Sequence, residues 1–200
     1  YNRIPVRAQA WKNRIETVLR ETGAERVHLI AHSMGGLDAR YLISRLDGHD
    51  EVETLTTVST PHRGSAIAAR VIEQPERVRR WITEVMNWLG ETAYANAPAD
   101  ALSAIGELTP DHVQEEFNPK VPDHPSVTYR SYAGRAGKGT SVPINPLLVL
   151  YNTTLYDKEG VNDGFVSIES ARWGEFKGTL DADHGVQVGL KRTPGASFEP

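Results

Sequence analysis

Apolar and polar residues recur along this chain with two different periods, and the changes of period divide it into elements. From 7 to 22, Ala8, Trp11, Ile15, Val18 and Leu19 fall three or four apart, which predicts an amphipathic helix stopped by Gly23. The run Val27-His28-Leu29-Ile30-Ala31 predicts a strand, and Gly35 to Leu46 a helix ended by Gly48. Glu53 to Ser59 alternates and is rich in β-branched residues, so it predicts the next strand. Strand, helix, strand in that order is the pattern of a parallel α/β sheet, whose sites lie at the C-terminal ends of the strands.

From Ala66 to Phe117 the alternation gives way to helical spacing. Pro75 opens a segment in which Val78, Trp81, Ile82, Val85 and Leu89 share one face, closed by Gly90. Such a stripe is either core or an amphipathic lid, and its position between two sheet strands favours the lid. Ala93 to Ala104 reads as a connector and a short helix, and Thr109-Pro110 as another helix start, at N-cap and N1. Ser126 to Ala133 predicts a third strand and Phe176 to Leu180 a last one, with a loose tail from Lys191. Between them, Asn145-Pro146 opens the apolar stretch Leu147 to Tyr156, which either lines an acyl-binding wall or packs beneath the sheet.

The junction after the first strand carries the chemistry. Ala31-His32-Ser33-Met34-Gly35-Gly36 places a serine between a strand and a helix, as in a nucleophile elbow. The turn is sharp, so it demands small residues two positions either side, here Ala31 and Gly35. A serine hydroxyl needs a base to take its proton and an acid to orient that base, and in this arrangement they follow in the order Ser, Asp or Glu, His. Asp163, in the turn Asn162-Asp163-Gly164, and His184, after the last strand, stand in that order. Six other histidines compete. His28 is expected to pack under the sheet, His49, His112 and His124 to lie exposed, and His32 is too close in sequence to reach around to the Ser33 hydroxyl. His62 and Arg63 either shape the pocket or hold their own loop by hydrogen bonds.

These motifs resemble the bacterial triacylglycerol lipase family of the α/β-hydrolase superfamily. The likeness runs through Gly35-Gly36-Leu37-Asp38-Ala39-Arg40-Tyr41, through Val58-Ser59-Thr60-Pro61-His62-Arg63-Gly64-Ser65, through Asn162-Asp163-Gly164, and through Ser170-Ala171-Arg172-Trp173-Gly174 to Asp183-His184. The resemblance implies an α/β-hydrolase fold, a mostly parallel sheet with a helical lid or cap at about 66–120, forming one domain over 1–200. It implies Ser33 as acyl-accepting nucleophile, Asp163 as orienting acid, His184 as general base and the Met34 backbone N–H as an oxyanion donor. His32, His62, Leu147 and Leu148 are the expected substrate-binding residues. The substrate is expected to be a lipid ester, with transient contact between lid and lipid interface, and secretion fits the resemblance. An acyltransferase or thioesterase using the same residues, or a weakened domain that binds a lipid or a partner, remains the alternative.

Two departures from the family pattern shape the expectations. The stretch before Arg26 holds one helix and no strand, whereas relatives place several strands there, with the loop that supplies the second oxyanion N–H. The expected fold therefore lacks those strands. Losing one oxyanion donor costs about 2.7–4 kcal/mol, roughly a hundred- to thousandfold in rate, so this chain alone is expected to be a weak enzyme. Relatives often carry calcium near the histidine loop, but Gly185-Val186-Gln187 offers no carboxylate, and Asp157, Asp181 and Asp183 read as solvated loop acids. No metal and no cofactor are expected. A length of 200 residues suits one domain. The net charge of −4 gives no basic field for nucleic acid, and no run approaches the ~18 apolar residues of a membrane helix. Absence of cysteine excludes disulfides and a thiol nucleophile.

Overall fold

The computed structural model describes residues 3–73, 76 and 99–190. Helix α1 (Ile4–Thr22) opens with Pro5 in its first turn and closes at Gly23, whose left-handed φ of 71° turns its N–H back to Leu19 O. Strand β1 (Val27–His32) leads through a turn into α2 (Gly35–Arg45), and β2 (Val52–Val58) follows. Helix α3 (Ala66–Ile72) begins at Ser65, whose hydroxyl accepts the Ile67 N–H. Past the helix Ala99–Gly106, Thr109 caps a helical run through the π-helical turn His112–Phe117 into Asn118–Lys120. Strand β3 (Thr128–Gly134), the helix Val149–Glu159, the short helix Ile168–Ala171 and β4 (Glu175–Leu180) complete the order.

The four strands form one parallel sheet in the order β1-β2-β3-β4. Side chains alternate across it. Leu29 and Ala31, Leu55, Tyr129 and Ala133 share the face on which the core is built. Against β1 and β2 that core is closed by Ala8 and Ile15 of α1 and by Ala39, Leu42 and Ile43 of α2. Against β3 it is closed by Ile67 and Val71 of α3 with Leu148, Leu155, Phe165 and Val166. The opposite face is open at its β1 side, where His28 and Ile30 are exposed and Ile30 keeps 82% of its surface.

This corrects two sequence expectations. His28 does not pack under the sheet: it lies on the open face, its Nδ1 3.0 Å from Thr54 Oγ1. Trp11, expected on the buried face of α1, is 56% exposed, because that face narrows to the row Ile4, Ala8 and Ile15. The expected amphipathic stripe from Val78 to Leu89 lies outside the described residues. The described flanks of that segment are core: Ile67, Ala68, Val71 and Ile105 are all buried. No helix among the described residues is long and apolar enough to cross a membrane.

Candidate active site

The site lies where β1 and β2 end. Ser33 follows the last residue of β1 with φ 55°, a left-handed backbone that a residue bearing a Cβ adopts only at a cost. Its surroundings hold it there. The Ser33 N–H donates to Val58 O (3.0 Å), and its carbonyl accepts the Thr60 hydroxyl (2.7 Å). A Cβ on Gly36 would run into the Thr60 side chain, whereas one on Gly35 would meet nothing within 4 Å among the described residues. The glycine that this junction requires sterically is therefore Gly36, not the expected Gly35. Met34 is the N-cap of α2, so the backbone N–H groups of the first turn face the same end of the sheet as Ser33.

Asp163 and His184 meet across two loops. His184 Nδ1 lies 2.8 Å from Asp163 Oδ2, and the His184 backbone N–H donates to the Asp163 carbonyl at 2.9 Å. Asp163 is fully buried, with Oδ1 accepting the N–H groups of Phe165 (3.0 Å) and Val166 (2.9 Å). Gln187 Nε2 also donates to Oδ2, at 2.9 Å. Burial pushes this carboxyl up. The charge and hydrogen bond of His184, with the hydrogen bond from the Val166 N–H, outweigh it and leave the pKa lowered to about 2. An ionised carboxylate only accepts, so the proton of the bond sits on His184 Nδ1.

Each loop is stiffened by a buried polar side chain. Asn162 Oδ1 accepts the Gly164 N–H (2.8 Å) and Asn152 Nδ2 (2.8 Å), which ties the acid turn to the helix Val149–Glu159. On the histidine side, Asp183 Oδ1 accepts the N–H groups of Gly185 and Val186, and its Oδ2 accepts that of Asn145. Asp183 is fully buried, which corrects its reading as a solvated loop acid. Gln187 and Asp183 were invisible in the sequence as site residues, because a side chain that hydrogen-bonds to a neighbouring loop needs no periodicity.

The expected substrate-binding residues separate into two groups. His32 lies against the site, its ring centroid 4.4 Å from that of His184. Burial, with the nearby His184 charge, lowers its pKa to about 3, so it is neutral at pH 7. Leu147 is exposed at the start of the helical segment that Asn145 joins to Asp183. His62 and Leu148 are buried and offer no surface to a ligand. His62 instead holds its loop: Nε2 lies 3.0 Å from Thr57 Oγ1, its ring stacks on Trp173, and its N–H donates to Ser170 O. Arg63 does the same, its guanidinium reaching the carbonyls of Glu169 and Arg172. The conspicuous Asp38 and Arg40 of α2 are also structural. Asp38 takes a two-pronged bond from Arg7, and Arg40 lies 3.7 Å over Trp173 while donating to Asn118 and to Val121 O.

Residues 11–91 match the family described as the PGAP1-like alpha/beta domain. Over 166 residues the chain is 37% identical to triacylglycerol lipase 2 of Saccharomyces cerevisiae, covering 79% of this chain and 44% of that protein. It is 46% identical over 102 residues to a triacylglycerol lipase of Pseudarthrobacter phenanthrenivorans, covering 48% of this chain and 31% of the relative. The chain thus spans less than half the length of either relative. Among solved structures, the mature lipase BlEst2 of Bacillus licheniformis superposes with a TM-score of 0.64 at 22% identity, over 92% of this chain and 68% of that one.

Proposed function

We propose that this chain, similar to triacylglycerol lipases and matching the PGAP1-like alpha/beta domain over residues 11–91, is an α/β-hydrolase that hydrolyses carboxylic esters of lipids through an acyl-enzyme on Ser33. The reading rests most on the Asp163–His184 bond at the end of the sheet that also carries the strained Ser33. His184 Nε2 takes the Ser33 proton as Oγ attacks the ester carbonyl, and returns it to the leaving alcohol as the tetrahedral intermediate collapses. Water, deprotonated by the same nitrogen, then releases the acid and restores Ser33. Asp163 stays ionised throughout and stabilises the imidazolium. The Met34 N–H, at the start of α2, is the proposed donor to the oxyanion.

The whole chain acts in this proposal as one hydrolase domain, with about 66–120 as its cap. Lipid esters are favoured over small soluble ones by the relatives and by the exposed Leu147, Val149 and Leu150 beside the histidine loop. The test is intact mass after incubation with a fluorophosphonate. One adduct on the parent and none on Ser33→Ala is the expected result. An unlabelled parent that is demonstrably folded would overturn the proposal.

A further inference from the structure

The two oxygens of the Asp163 carboxylate are held by different segments. Oδ1 takes the N–H groups of its own turn, from Phe165 and Val166. Oδ2 takes its donors from the histidine loop, His184 Nδ1 at 2.8 Å and Gln187 Nε2 at 2.9 Å. In the reaction proposed above, the His184 ring gains and loses a proton and has to keep its direction throughout. The Gln187 amide has no such task, since it does not titrate. It sits further along the same loop, in the helical turn Val186–Val188, where its backbone N–H donates to Asp183 O at 3.3 Å.

The neighbours of this amide fix which way round it lies. Nε2 faces two acceptors, Asp163 Oδ2 and, at 3.4 Å, Ala182 O. Turning the amide over would put Oε1 against an ionised carboxylate and a carbonyl, so only the NH2 group fits there. The other end is left without a partner: Oε1 is buried and accepts no hydrogen bond among the described residues. An orphaned buried acceptor is a cost that an apolar side chain of similar length, such as methionine, would not carry. The glutamine keeps that cost where its other end reaches the acid. Room for the amide comes from Gly134, the last residue of β3. A Cβ there would collide with Gln187 Nε2 and come within 2.9 Å of both Asp163 Cβ and Ala182 O. The strand thus ends on a residue without a side chain where the amide lies beside the acid.

We propose that Gln187 is a positioning residue, whose amide is a second, non-titrating hold on Asp163 Oδ2 and keeps the carboxylate aimed at His184 while the ring changes charge. The proposal rests on the hydrolase reading above for its consequence, but not for its geometry. Gln187→Met keeps the length and removes the donor, and Gln187→Glu keeps the shape and sets a carboxylate against the two acceptors. In the full chain, Gln187→Met should label with fluorophosphonate about ten-fold more slowly, the scale of one hydrogen bond to a charged group. Its melting temperature should stay close to the parent's, because the orphaned oxygen is lost along with the hydrogen bond. Gln187→Glu should label more slowly still and move the acid side of the pH profile upward, since added negative charge there favours the protonated imidazole. The downfield proton resonance of the His184 Nδ1–H···Asp163 bond should move in both variants. Parent-like labelling of Gln187→Met, an unmoved resonance, or labelling that falls only in step with melting temperature would overturn the proposal, leaving Gln187 a space-filling residue. An unlabelled parent would end the hydrolase reading alone, since the proton resonance needs no reaction and still decides whether Gln187 acts on the Asp163–His184 bond.

Discussion

At the residue scale, the junction between β1 and α2 depends on two contacts that make opposite predictions for adjacent glycines. Gly36 leaves room for Thr60, whose hydroxyl satisfies the Ser33 carbonyl, whereas Gly35 faces open space. Gly36→Ala must displace Thr60 and should cost about 1–3 kcal/mol in urea denaturation. Gly35→Ala meets no neighbour and gains helix propensity, so it should be neutral or stabilising by up to about 1 kcal/mol. Equal losses in the two variants would show that the strand-to-helix turn, not Thr60, sets the requirement. His32 gives a second prediction, in pH. An unfolded histidine takes up its proton near pH 6.5, but burial holds the native His32 neutral down to about pH 3. Between those values the unfolded chain binds more protons, so stability falls as pH drops through that window, by at most about 1.4 kcal/mol per pH unit for each such group. His62, also lowered by burial, adds in the same direction. Replacing His32 by Phe should flatten the fall in urea midpoint between pH 6.5 and 4; an unaltered slope would mean that His32 titrates normally.

At the scale of elements, the acid turn is placed by a helix that it meets through asparagines. Asn152, itself buried, donates to Ala136 O and Asn162 Oδ1 and accepts the partly buried Lys138 N–H. Asn152→Ala strands several buried polar groups at once, so it should destabilise by about 2–4 kcal/mol and slow fluorophosphonate labelling of the fraction that stays folded. Normal labelling in a destabilised variant would mean that the acid turn keeps its shape without this clamp. Such clamps explain what was legible in the sequence and what was not. The strands and α1 could be read because burying one face imposes a period, and Asn162-Asp163-Gly164 because its turn needs those residue types. Trp11 misled because the period fixes the face of α1 but not how wide a stripe the sheet covers. His28 misled because the alternation of β1 does not say which faces of the sheet are covered. Asp183 and Gln187 gave no signal: each joins segments distant in sequence through one side-chain hydrogen bond, to the Asn145 N–H and to Asp163, and such a bond leaves no period in the sequence.

Across the whole molecule, the sheet is closed on one face and open at one corner of the other. The core lies on the α1, α2 and α3 side, and the strand β1 is outermost in the described sheet, with no strand beyond it among the described residues. An outer strand presents unpaired N–H and C=O groups, and here it also presents Ile30 with 82% of its surface exposed. Natural sheets commonly guard such an edge with a lysine or other charged side chain, and here the exposed neighbour of Ile30 on that face is His28. The isolated chain should therefore self-associate through this corner in a concentration-dependent way. Ile30→Lys removes an apolar group that buries almost nothing, so stability should stay within about 0.5 kcal/mol of the parent. Sedimentation at rising concentration should show the parent associating and the variant monomeric over the same range. Association unchanged by the lysine would place the contact elsewhere, and a large loss of stability would mean that Ile30 is covered in solution by a part of the chain that this corner does not display.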